Sequence, residues 1–126
     1  MKNVYVLIVS LFAFASQSFS QITSTALGGQ WSNPATWNGG VVPTATDDVI
    51  IANDAIVIID QDVNVFSITV GEGTSGILEY EDINPRIVTV TNDVSINGGG
   101  IFRSAVLGTV TTHVLNISGN IINNGT

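Results

Sequence analysis

From residue 47 onward the chain is a succession of short apolar runs rich in valine and isoleucine, each closed by asparagine, aspartate or glycine. Val49-Ile50-Ile51 and residues 55–59, 63–70, 77–80, 87–90 and 94–96 are of this kind, and Ile101-Phe102, residues 114–117 and Ile121-Ile122 continue the series. Between them stand Asn53-Asp54, Asp60-Gln61-Asp62, Gly71-Glu72-Gly73, Asn84-Pro85, Gly98-Gly99-Gly100 and Gly119-Asn120. Side chains branched at Cβ have few rotamers to lose on a pleated surface, and Asn, Asp and Gly tolerate the backbone angles of turns. No segment carries a convincing apolar period of 3.6. The pattern predicts many short strands and no helical core.

A repeat runs through these strands. Val88-Thr89-Val90-Thr91-Asn92-Asp93-Val94 matches Leu115-Asn116-Ile117-Ser118-Gly119-Asn120-Ile121 at an offset of 27, and the match resumes from Asn97-Gly98 to Asn124-Gly125. Ser67-Ile68-Thr69-Val70-Gly71 resembles the strand half of the same unit. Strand, turn, strand and glycine at a period in the twenties predict a solenoid with one repeat per coil. A β-sandwich is the alternative, since its strands also recur at short intervals. In a solenoid, coils stack about 4.8 Å apart, so valine and isoleucine stand above their like in a narrow core. Asparagine and threonine can form ladders at the bends, and glycine supplies positive φ at the corners. About 80 residues would make three to four coils.

Composition excludes several classes. After residue 20, valine and isoleucine number 28 and leucine only four. The same segment sets ten acidic residues against Arg86 and Arg103, which leaves a net charge of −8. A nucleic-acid partner would call for a basic surface. With 44% hydrophobic and 10% charged residues the chain is not of disordered composition. It contains no cysteine, so neither disulfides nor thiolate metal sites contribute.

Residues 1–20 have the form of an export signal. Met1-Lys2-Asn3 carries the positive charge, residues 4–15 are apolar, and Ser18-Phe19-Ser20 offers small residues at −3 and −1 for cleavage before Gln21. Cleavage after Ala15, using Ala13-Phe14-Ala15, is the second choice. Twelve apolar residues are too few to span a bilayer comfortably, and no other stretch of the chain is long and apolar enough to do so. The mature chain is therefore expected to be secreted or held at the cell surface without a membrane span.

Residues 21–46 are read as a cap on the first coil, and residues 47–126 as the coils themselves. The cap segment holds Trp31-Ser32-Asn33-Pro34-Ala35-Thr36-Trp37, followed by Asn38-Gly39-Gly40-Val41-Val42-Pro43. Both tryptophans of the chain lie here, expected to cover the open end of the core near Val49, Ile51 and Val57. Exposed tryptophan pairs also stack on sugar rings, so Trp31 and Trp37 are the alternative candidate for a glycan surface, with capping favoured because an uncovered core end is costly. The chain stops inside a repeat, at Asn123-Asn124-Gly125-Thr126, and is expected to be the N-terminal piece of a longer protein.

The string from Trp31 to Trp37, then Pro43, Asp47-Asp48-Val49-Ile50-Ile51, Val57 and Asp60, resembles a known leader. It looks like the start of right-handed parallel β-helices in large bacterial surface proteins exported by the type IX secretion route. With Gly76-Ile77-Leu78-Glu79-Tyr80-Glu81-Asp82 it is also similar to the beginning of the eight-glycine extracellular domain. That domain occurs in animal hyaluronan-processing and ciliary membrane proteins and in bacterial secreted proteins. The resemblance covers residues 28–126; the tryptophan and Asp-Asp-Val block is distinctive, and the coils are generic. The sorting domain that ends type IX cargo is not found in this sequence, so the route is implied by the leader alone. The resemblance implies an extracellular β-helix used in adhesion or polysaccharide handling, often without catalytic residues in this module.

Candidate chemistry is sparse. Glu79 and Glu81, two apart on one strand, share a face opposite Leu78 and Tyr80. Paired carboxylates can perform glycosidase acid–base work, but two acids on an exposed strand face with no evident partner are more simply solvated. His113 is the only histidine and lacks the companions of a metal site or triad. Asp60-Gln61-Asp62 opens like an EF-hand loop, but Val65 and Gly71 stand where that loop needs glycine and glutamate. A looser calcium site from Asp47, Asp48, Asp60 and Asp62 is the remaining metal candidate, against the plainer reading that these residues close turns. Asn116-Ile117-Ser118 and Asn124-Gly125-Thr126 match the glycosylation pattern, as chance allows in an asparagine-rich chain.

These observations favour a non-catalytic extracellular module for adhesion, spacing or contact with surface polysaccharide. The alternative is the front of a polysaccharide-processing β-helix enzyme whose active site lies downstream. No catalytic residues or cofactor are assigned, with calcium the single candidate ion.

Overall fold

The structure is a computed structural model, and it describes residues 18–126; the first 17 residues, with most of the segment expected to be an export signal, lie outside the described part. The described chain is an all-β solenoid of about four turns. The first turn holds β1 (Ser20–Thr23) and β2 (Gly29–Gln30), and the second holds β3 (Asp47–Ile51), β4 (Ile56–Ile59) and β5 (Val63–Val65). The third carries β6 (Ser67–Val70), β7 (Ile77–Tyr80) and β8 (Ile87–Val90). The fourth carries β9 (Val94–Ile96), β10 (Ile101–Ser104) and β11 (Val114–Ile117), and β12 (Ile121–Asn123) starts the next. Every pair between these strands is parallel, and they form three sheets: β1-β3-β6-β9-β12, β2-β4-β7-β10 and β5-β8-β11.

The core follows from alternation along each strand and repetition between turns. Val49 and Ile51, Val57 and Ile59, Val63 and Val65, Ile68 and Val70, and Val88 and Val90 all point inward and are buried. They stack in columns: Ile22, Val49, Ile68, Val94 and Ile121 form one, and Val63, Val88 and Leu115 another. Each fully buried side chain of this size contributes about 1.5–3 kcal/mol, an upper estimate because unfolded chains are not fully extended. Branched side chains one strand spacing apart fill such a column without gaps. The last rung ends on Leu115 and Ile121, both exposed.

The 27-residue repeat is a physical register. Val88, Thr89 and Val90 pair with Leu115, Asn116 and Ile117, and Val94 pairs with Ile121, as the sequence match aligns them. Three local expectations are corrected. The run 63–70 breaks into two strands at Phe66, which forms a one-residue corner between sheets. Ser67–Val70 therefore stacks below Val94–Ile96, not beside Val88–Val90, so its likeness to the repeat reflects strand composition and not position in the coil. The stack also begins earlier than residue 47, because β1 and β2 already run in register with β3 and β4. The segment assigned to a cap thus supplies rungs of its own. Gly28 makes this approach possible: at φ +63°, a Cβ there would lie 2.1 Å from the Ile56 carbonyl oxygen. Among the described residues, no helix is long and apolar enough to cross a membrane.

Candidate functional site

The tryptophan segment is built by local hydrogen bonding. Asn33 accepts the Ala35 amide at 3.0 Å and starts a single 3-10 turn, Pro34–Thr36, with proline in its first turn. The turn brings Trp37 back onto Trp31, with ring centroids 4.8 Å apart at 71°, an edge-to-face pair. Trp37 Nε1 donates to the Trp31 carbonyl at 2.9 Å, and the Trp31 amide donates to the Ile58 carbonyl at 2.8 Å. Both rings join the same buried cluster as Val49, Ile51 and Val57, with exposures of 1% and 2%. At those values neither indole presents a free face to a sugar ring.

The four candidate calcium ligands lie in the second turn, two at the start of β3 and two between β4 and β5, and each is engaged by a different partner. Asp47 accepts the Thr44 amide and hydroxyl at 2.7 and 2.8 Å. Asp48 accepts the Ser67 hydroxyl, and Asp62 accepts the Ile87 amide at 3.0 Å. Asp60 accepts the Ser32 amide at 2.9 Å and the Ser32 hydroxyl at 2.5 Å, pinning the residue after Trp31 to the second turn. Among the described residues no three His, Cys, Asp or Glu side chains gather as a metal site would require. The structure does not bring the four aspartates together.

Glu79 and Glu81 do lie on the outer face, but they are not unpartnered. Arg103 Nε meets Glu79 Oε2 at 2.7 Å, and Arg86 Nε pairs with Glu81 Oε1. Arg103 sits directly opposite Glu79 on the ladder, whereas Arg86 returns to Glu81 across the turn between β7 and β8. The correction is one of long-range geometry: Arg103 is a neighbour only once the coils stack. Together with Asp60, Asp82 and Gln30, the two glutamates line a shallow groove of about 300 Å³. Two acids each held by a guanidinium are poorly arranged to exchange protons with a glycosidic oxygen.

Beside this groove, Tyr80 and His113 form a contact that local sequence does not suggest. Their rings stack at 4.4 Å, and Tyr80 also stacks on Phe102 at 5.6 Å. The Tyr80 hydroxyl donates to the Val114 carbonyl at 3.1 Å, and His113 Nδ1 accepts the Arg86 amide at 3.2 Å. That bond requires an unprotonated Nδ1. Burial pushes the Tyr80 phenol up to about 12. His113 is thus a packing residue that ties the loop before β11 to the third turn. Asn116 and Asn124, the two glycosylation-pattern asparagines, are exposed.

No protein-family model, curated protein or solved structure is significantly similar to this chain.

Proposed function

We propose that this chain is a non-catalytic extracellular module, a β-solenoid that spaces or displays neighbouring parts of a secreted or cell-surface protein. The observation that carries this reading is the continuous stacking of parallel strands from Ser20 to Asn123, one ladder running that whole way and two more flanking it. Such a stack needs only its inward positions for stability, so its outer faces are free to vary with what the surface must meet. The apolar segment after Lys2 supports export, and the negative charge suits a soluble surface that does not adhere to anionic polymers. The leader string around Trp31, Trp37 and Asp47-Asp48-Val49 supports kinship with type IX cargo and with the eight-glycine domain. In this reading Trp31 and Trp37 act as the N-terminal cap, and their burial favours that role over sugar stacking. Any contact with extracellular polysaccharide then falls to the outer sheet faces.

The test is to incubate the purified chain with a panel of neutral and acidic polysaccharides, following both retention and the release of new reducing ends. A non-catalytic module releases none, whether or not it is retained. Release that disappears in Glu79→Gln would replace this reading with the enzymatic one.

A further inference from the structure

We propose that signal peptidase frees this chain after Ala15, so that the mature protein begins at Ser16 and not at Gln21. The proposal rests on the export reading above and deepens it by naming the processing site.

The two residues that decide the matter are Phe19 and Ser20. Ser20 is the first residue of β1 and pairs with Asp47 in the parallel ladder to β3. The Phe19 ring packs on Phe66, centroids 4.2 Å apart at 39°. Phe66 is the one-residue corner between β5 and β6, and its amide donates to the Asp47 carbonyl at 3.0 Å. Phe19, Ser20, Asp47 and Phe66 thus form one connected patch at the start of the stack. A cut after Ser20 removes two of the four, strips one side of Phe66, and places a chain terminus inside β1. A cut after Ala15 keeps all four.

The protease itself meets an extended chain and reads small residues at −3 and −1. Ala13-Phe14-Ala15 meets that requirement as well as Ser18-Phe19-Ser20 does, and it stands at the end of the apolar run. Both cuts are chemically acceptable, but only one product can complete the first rung.

The full 126-residue chain, exported from a bacterial host, provides the test by intact mass and fragmentation of the N-terminal peptide. Mass is preferred to stepwise degradation because an N-terminal glutamine cyclises and blocks it. A product beginning at Ser16 supports the proposal. One beginning at Gln21 overturns it and leaves the export reading standing, whereas an uncut Met1 chain removes the export reading and the proposal with it. Chains made directly from Ser16 and from Gln21 provide a second measurement. The longer one should unfold at a higher temperature, and Phe19→Ala should bring it down toward the shorter; equal midpoints for the two chains overturn the structural argument.

Discussion

Arg103 and Glu79 occupy opposed positions on neighbouring parallel strands, and their side chains meet at 2.7 Å on the outer face of the solenoid. The pair closes a gap of 24 residues in sequence. The Arg103 side chain is 35% exposed, so water and salt weaken the attraction.

Breaking this pair is therefore expected to cost little. Arg103→Ala or Glu79→Gln should lower stability by less than about 1 kcal/mol, with a coupling of the same order in the double-mutant cycle. Denaturant unfolding of the four variants measures it. A coupling several times larger would mean that the groove holds the pair in a far drier setting than its exposure implies.

The tryptophans are expected to dominate the N-terminal end. Trp37→Ala removes a fully buried aromatic and should cost about 3–5 kcal/mol. Trp37→Phe keeps most of the volume but leaves the Trp31 carbonyl without its donor, a loss of about 1–3 kcal/mol. Such losses are a large share of ordinary domain stability, so the alanine variant should also aggregate through its uncovered strand edges. Native tryptophan fluorescence should be blue-shifted and resist soluble quenchers. Unchanged stability in Trp37→Ala, together with lost polysaccharide retention, would restore the sugar-stacking reading.

Alkaline titration isolates Tyr80 in a chain made from Ser16 onward, because the only other tyrosine of the sequence is Tyr5. An unfolded tyrosine ionises near pH 10, and in the fold burial raises Tyr80 to about 12. The folded state keeps its proton where the unfolded chain has lost it. The stability tied to this group is therefore complete below pH 10 and declines between about 10 and 12, by at most about 1.4 kcal/mol per pH unit. The ultraviolet absorbance of tyrosinate in that chain should appear late and coincide with loss of structure. A midpoint near 10 in the still-folded protein would contradict this placement of the ring.

Calcium should leave the unfolding temperature unchanged. Asp47, Asp48, Asp60 and Asp62 are each engaged by a different turn partner, and a ligand stabilises a fold only through a site that binds it. Thermal scans in chelator and in millimolar calcium make the comparison. A clear rise with calcium, lost in Asp60→Asn, would show that the carboxylates regroup around the ion.

Much of the fold is legible from short windows. Strand positions at Ile77–Tyr80, Ile87–Val90, Val94–Ile96 and Val114–Ile117 agree with the alternating runs, because an inward and outward period of two is written residue by residue. The candidate site is far less legible. Nothing around Glu79 names Arg103, and nothing around Tyr80 names His113, because each partner arrives from another coil.

By itself, the sequence favoured a solenoid over a β-sandwich, with valine and isoleucine facing its core and Val88 standing below Leu115. Those features depend on local alternation and on a repeat whose length equals one turn. Only the tertiary structure decided which sheet each strand joins. Asp48 and Ser67 pair across 19 residues, whereas Ser20 and Asp47 pair across 27, because the second turn has only short connections at residues 52–55, 60–62 and 66, while residues 31–46 intervene between β2 and β3. Valine-rich strands are nearly interchangeable in composition, so their order is set by corner length and by which columns close without a void. The aspartates, glutamates and tryptophans take their roles from that stacking. Their chemistry is local, but their neighbours are one turn away.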